Sequence, residues 1–196
     1  PGSPTHSRRS IDAQVETAWR LTQEVAFSPR LEALTRGFTP PPPGGYAVYE
    51  MSRDLRSYRA LYASIEDLYV YLPRIDSILS SAGLVDARTY HQTYLADRGM
   101  PFDAWHREIA RTRRGDFVPE SGSIAYMQST PLFAADPDAN VVISLSKGSF
   151  VEDARDIATL DGATVVVLDS SDRVIAASAG ADTGAGRGPA LRYKDL

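Results

Sequence analysis

Cysteine is absent from the chain. Disulfides, thiolate metal sites and a cysteine nucleophile are thereby excluded. Lysine is almost absent too, occurring at Lys147 and Lys194 alone, so the basic residues are nearly all arginine. That bias speaks of genome composition rather than chemistry. There is no basic surplus: 21 Lys and Arg face 25 Asp and Glu, for a net charge of -4. A protein whose main partner is nucleic acid normally carries the opposite balance. No run of 18 apolar residues exists, so no segment reads as a membrane span, and the opening PGSPTHSRRS lacks the apolar core of a signal peptide. Histidine is scarce as well. His6, His91 and His106 are scattered without metal-ligand spacing, and no metal or cofactor is expected. What is present is a hydrophobic content of 43%, enough for a real core and too much for a disordered chain.

Periodicity divides the chain. Ile11, Val15, Ala18, Trp19, Thr22, Val25 and Ala26 recur at helical spacing, with Ser10 as an N-cap. Ser28-Pro29 reads as a second cap followed by proline at the first helical position. The spacing predicts a long, mostly exposed helix over 10–36 that breaks or restarts at Ser28. TPPPPGG at 39–45 is a stiff connector. A second helix should present Tyr46, Tyr49, Leu55, Tyr58, Leu61, Tyr62 and Ile65 on one side. Leu68, Val70 and Leu72 alternate with Tyr69 and Tyr71, which is strand periodicity, and either set can face a core. A turn at 73–76 returns the chain into a strand over 77–81. Two helices follow, over 86–95 and from Phe102 to about Arg113, after which GDFVPE breaks the pattern. SIAYMQSTPLFA and NVVISLSKGSF are two strands, VEDARDIATL a short helix, and ATVVVLDSSDRVIAAS a hairpin. The order predicts an α+β protein: a long N-terminal helix and an antiparallel sheet with helices beside it.

One pattern occurs twice. VYLPRIDSILSS at 70–81 and VVLDSSDRVIAA at 166–177 align without a gap at an offset of 96 residues. The repeat predicts that a structural unit restarts near residue 162. Three parts are then expected: an N-terminal helical stalk and linker over 1–45, a first sheet module over 46–161, and the start of a truncated second module over 162–196. A lone hairpin at 164–178 is marginal in water, so it should take a partner strand from the tail PALRYKDL or from another chain.

SIEDLYVYLPRIDSILSSAG, FDAWHREI, IAYMQSTPL and VVISLSKGSF follow one another in an order that resembles the extracytoplasmic double Cache (PAS-like) sensor domain. Within that group the chain resembles the ectodomains of membrane-bound AraC-family transcription regulators of Gram-positive bacteria. The resemblance covers roughly residues 10–178. It implies a membrane-distal PAS-like module, a position on the extracellular face of the cell membrane, and signal transduction across it. A small solute such as a carbohydrate is the implied ligand. No direct nucleic acid contact is implied for this part of the protein, and no enzyme activity. A chemotaxis receptor or histidine kinase sensor is the alternative output, and a small hydrolase a more distant one. Amino-acid-binding Cache domains carry Arg before the helical Trp and Asp after the last distal strand. Here Ala104 precedes Trp105, and Ser144 and Ser146 stand where the Asp would be.

These segments nominate ligand-contacting residues. Trp105 and Tyr126 are expected to meet at one cavity between sheet and helix, where apolar walls with a few polar groups suit a ligand. Tyr69, Tyr71, Gln128 and Ser129 join them as side chains able to touch or hydrogen-bond a solute. The stripe along the first helix needs a covering surface, and a second copy in a homodimer would supply one. Other motifs carry nothing. RTRRGD is a solvated helix end. GAGRG lacks the strand a dinucleotide fingerprint needs. Asp136, Asp138 and Asn140 lack the closing Glu of a calcium loop.

Overall fold

The computed structural model describes residues 4–36, 45–119, 123–132, 134–146, 148, 166–168, 174–177 and 190–192. Helix α1 (Pro4–Ala26) gives way to a turn at Phe27, and Ser28 caps α2 (Pro29–Thr35) by accepting from the Arg30 amide at 3.2 Å. Proline at the first position of α2 gives up an amide that no helix could use there. After α3 (Tyr46–Leu61) come β1 (Ile65–Leu72), β2 (Ser77–Ser80) and β3 (Gly83–Asp86). Helix α4 (Ala87–Tyr90) continues into a π-helical turn over His91–Leu95, and α5 (Phe102–Ile109) leads to β4 (Arg114–Pro119), β5 (Ser123–Thr130) and β6 (Ala139–Ser146). The six strands form one antiparallel sheet in the order β3-β2-β1-β6-β5-β4.

Both faces of this sheet are covered, which is why β1, β5 and β6 read as nearly continuous apolar runs. On one face lie Leu68, Val70, Leu72, Leu79, Ile124, Tyr126, Val141, Ile143 and Leu145, packed against α1, α2 and α3. On the other lie Tyr69, Tyr71, Ile78, Ala125, Met127 and Val142, packed against α4, its π-turn and α5.

The long helix differs from its expectation. Ile11, Val15, Ala18, Leu21 and Val25 are buried along its length, and α1 lies across β5 and β6. Burying each of the Ile, Val and Leu side chains contributes on the order of 1.5–3 kcal/mol, and the chain's own sheet supplies the surface. The stripe therefore calls for no second copy. Trp19, counted in the stripe, falls on the outer side and is half exposed. Helix α3 turns a different face inward from the one its spacing predicts: Val48, Met51, Ser52 and Leu55 are buried, while Tyr46, Tyr49 and Leu61 face solvent. Arg30 of α2 pairs with Glu50 and Asp54, and Tyr58 donates to Glu24 at 2.8 Å, so α3 runs beside both helices.

In the segment read as a break, GDFVPE, residues 115–119 belong to edge strand β4, and α5 stops at Ile109 rather than Arg113. Asn140 of β6 donates to the Ile109 carbonyl at 2.7 Å, meeting one of the carbonyls that a helix end leaves open. Strands β7 (Val166–Leu168), β8 (Val174–Ala177) and β9 (Ala190–Arg192) form a separate sheet in the order β8-β7-β9. The hairpin does take a partner from the tail, β9 pairing parallel with β7. Its register differs from that of the first copy: Val70 faces Leu79, whereas Val166 faces Ala177, two positions beyond the equivalent residue. The expected helix at 151–160 lies outside the described residues.

Candidate functional site

The face opposite α1 holds an aromatic layer. Tyr69 of β1, Tyr90 of α4 and Trp105 of α5 are almost wholly buried and meet one another: Tyr69 and Tyr90 rings are 5.2 Å apart, and Tyr90 stacks on Trp105 at 6.3 Å. The Trp105 indole donates to the Tyr69 hydroxyl at 3.2 Å. His91 and Phe102 close on Trp105 from the α4 and α5 sides, at 5.3 and 6.0 Å. The His91 ring donates to the Met100 carbonyl at 2.9 Å.

At one end of the layer, Tyr71 and His106 both donate to Asp76 Oδ1, at 3.0 and 2.6 Å. Asp76 occupies the left-handed region at φ 46°, in the turn that joins β1 to β2. Burial, with the Asp76 bond behind it, pushes the Tyr71 hydroxyl pKa up and keeps it a donor. Helix α5 is thereby tied to the β1–β2 turn.

At the other end is a cleft of about 150 Å³, lined by Arg59, Glu66, Asp67, Ser80, Ser81, Ala82, Tyr90 and Tyr94. A β-bulge between Ile65 and Asp67 creates it. Without the extra residue, strict alternation would send Asp67 to the α1 face with Ile65. With it, Asp67 joins Tyr69 and Tyr71 on the aromatic face. Its carboxylate is 9% exposed and accepts from the Leu68 amide at 2.9 Å and the Tyr90 hydroxyl at 2.6 Å. Arg56 holds the neighbouring β2–β3 turn through the Ser81 carbonyl at 2.8 Å. Together these groups make a partly enclosed space with apolar rings on one side and a buried anion on the other.

The structure sorts the nominated residues into two groups. Tyr69, Tyr71 and Trp105 share the aromatic face. Tyr126 does not: it lies on the α1 face, against Phe117 at 4.9 Å, so Trp105 and Tyr126 have the sheet between them and share no cavity. The reason is parity, since Ala125 and Met127 take the aromatic face and Tyr126 falls between them. Gln128 follows Tyr126 and accepts from Gln23 of α1 at 2.6 Å. Ser129 returns to the aromatic side, fully buried, where its hydroxyl accepts from the Arg113 amide at 2.7 Å. Asp67, Ser80, Tyr90 and Tyr94 had not been nominated. The one sequence signal for them was a carboxylate two positions before Tyr69. No clustered histidine, aspartate and glutamate arrangement able to hold a metal occurs among the described residues. No described helix is long and apolar enough to cross a membrane.

No family model matches the chain, and no curated protein matches it by sequence. Solved structures do resemble it. The ligand-binding domain of the Campylobacter jejuni chemoreceptor Tlp3 in complex with 4-methylisoleucine aligns with a TM-score of 0.52 at 13% identity, over 89% of this chain and 64% of that one. The sensory domain of the same chemoreceptor with isoleucine bound aligns at 0.49 and 13% identity, over 89% of this chain and 65% of that one. The chain thus spans just under two thirds of those domains. The first likeness bears on the fold, which is an α+β arrangement of the Cache, PAS-like kind: N-terminal helices and a six-stranded antiparallel sheet with flanking helices.

Proposed function

We propose that this domain senses a small solute held on the aromatic face of the sheet, as the extracytoplasmic half of a membrane receptor. One observation carries the reading. A buried carboxylate, Asp67, borders a cleft walled by aromatic rings, on the one sheet face that α1 leaves to short helices. Ligand sites combine apolar walls with a few fixed polar groups in this way. Tyr90 and Tyr94 form the wall in this reading, Tyr69 and Trp105 back it through their contacts with Tyr90, and Tyr71 lies at the far end of the layer. Helix α5 brings Trp105, and the Asp76 link would carry a shift of α5 to the β1–β2 turn. Such a shift needs a solute that binds two states with different affinity. The module over 46–161 would be the membrane-distal one, with residues 162–196 opening a second.

The output is a transcription regulator of the AraC kind in the reading that the sequence resemblance supports. A chemoreceptor is the second reading, supported by the structural likeness to Tlp3. Tlp3 is described with isoleucine and 4-methylisoleucine bound; this chain has Ala104 where amino-acid-binding relatives place an arginine. Against hydrolysis stands the bonding of the His106–Asp76 pair, which engages the Tyr71 hydroxyl rather than a serine.

A thermal-shift screen with sugars, amino acids and amines tests the reading. A ligand at a hundred times its Kd stabilises by about 2.7 kcal/mol, which at this size raises Tm by roughly 5–11 °C. At least one solute class should do so, and Trp105→Phe should shrink the shift. No shift from any class at millimolar concentration would overturn it.

A further inference from the structure

We infer that the Asp67 cleft is a cation site that takes the ammonium group of a small amine, held by the Asp67 carboxylate and walled by Tyr90 and Tyr94. This inference rests on the sensing reading above and names the chemistry of its ligand. An ionised carboxylate accepts at about four lone-pair positions. Asp67 has two donors, the Leu68 amide on Oδ1 and the Tyr90 hydroxyl on Oδ2. Among the described residues no cationic side chain pairs with it. Burying a carboxylate without a counter-charge is costly. Here one is 9% exposed and opens onto a cleft of about 150 Å³. A positive ligand group would supply the missing charge.

The walls agree with this assignment. Tyr90 and Tyr94 rings lie 5.0 Å apart beside the carboxylate. Aromatic faces attract ammonium groups within about 6 Å of the ring centre. Glu66 adds a second carboxylate to the lining. The Ser80 hydroxyl, buried, accepts from the Ala82 amide at 3.2 Å and keeps its own proton to donate. The cleft's volume equals about five waters' share of the liquid, the scale of an alkylammonium ion with a short chain. Among the described lining residues the one positive side chain is Arg59, exposed at the end of α3. An amine has to displace it or bind beside it. Among these described residues an anionic ligand would meet two carboxylates for one guanidinium.

The experiment is a charge series on the whole 196-residue chain: n-butylammonium, n-butanol and butyrate, measured by saturation-transfer NMR and calorimetry at neutral pH. The ammonium ion should bind at least tenfold more tightly than its neutral and anionic counterparts. Asp67→Asn keeps the shape and one acceptor oxygen, and Tyr90 can turn its hydroxyl to accept from the new amide NH2; the loss of charge should weaken binding by roughly 30-fold or more, the usual result of removing one partner of a buried charge pair. Arg59→Ala should tighten it severalfold by removing a like charge from the rim. Equal binding of butanol or butyrate overturns the inference, as does an Asp67→Asn protein that is folded by circular dichroism and binds as before. If Asp67→Asn does not fold, the charge series and Arg59→Ala decide it alone. If none of the three probes binds while a sugar from the solute screen does, the cation assignment falls and the sensing reading stands. If neither the probes nor the screened solutes bind, both fall.

Discussion

Substituting Gly115 by alanine should reveal how the edge of the sheet is built. Gly115 sits in a bulge of β4 between Arg114 and Asp116, at φ +98°. A Cβ there would stand 2.5 Å from the Tyr126 hydroxyl oxygen and 3.3 Å from its Cζ. Two costs combine. Holding an L-residue in this left-handed region costs about 1–2 kcal/mol, and overpacking costs typically another 1–3 kcal/mol. Because β4 is an edge strand and can yield, we expect a loss of about 3 kcal/mol, equivalent to roughly 6–12 °C in Tm for a chain of this size. Tyr126→Phe removes the atom at 2.5 Å and leaves the backbone cost. The two substitutions should therefore couple by about 1–2 kcal/mol in a double-mutant cycle. Urea unfolding followed by circular dichroism, with equal slopes across the four proteins, measures this. A Gly115→Ala protein within 1 kcal/mol of the parent, or strict additivity with Tyr126→Phe, would refute the reasoning.

Trp105→Ala should cost about 3–5 kcal/mol, whereas Trp19→Ala, on a half-exposed side chain, should stay within about 1 kcal/mol; equal losses would show the aromatic layer is not a packed core. The Tyr58 hydroxyl is pushed up to about 12 by burial and by its bond to Glu24. Its contribution is complete below the ordinary tyrosine pKa of about 10 and is lost as pH rises toward 12. Tyr58→Phe should flatten that alkaline loss in a pH series of unfolding curves, and an unchanged slope would contradict the assignment. Asp86 caps α4 by accepting from the Thr89 amide at 2.9 Å, and the Thr89 hydroxyl, with this amide behind it, holds its carboxyl below the usual range. That stability is present above the ordinary carboxylate pKa and fades as pH falls through the depressed one. Asp86→Ala should cost about 1 kcal/mol at neutral pH and little in strong acid; a loss independent of pH would refute the cap.

The α+β class, the order of most elements and the Ser28-Pro29 break were legible in the sequence, because each depends on neighbours along the chain. Leu68, Val70 and Leu72 against Tyr69 and Tyr71 announce a strand by alternation, and Ser28 announces a helix start by the hydrogen bond it offers. Alternation states which residues share a face. It cannot state which face meets which layer when both are buried, and that is why Trp105 and Tyr126 were wrongly joined. Strand β4 was missed because GDFVPE has little strand character of its own. Its pairing with β5, over a glycine bulge, is what orders it.

The sequence by itself thus determined the local periodicities, the absence of thiol chemistry, and the aromatic stock from which a site could be made. The tertiary structure alone decided the rest. Helix α1 spends its apolar stripe on β5 and β6, which only a folded sheet can offer. The cleft exists because one extra residue near Glu66 shifts the parity of β1, and because Tyr90, 23 positions along the chain, arrives to donate to Asp67. Neither effect has a signature in residue type. A bulge depends on how two strands register, and a buried charge on what packs around it.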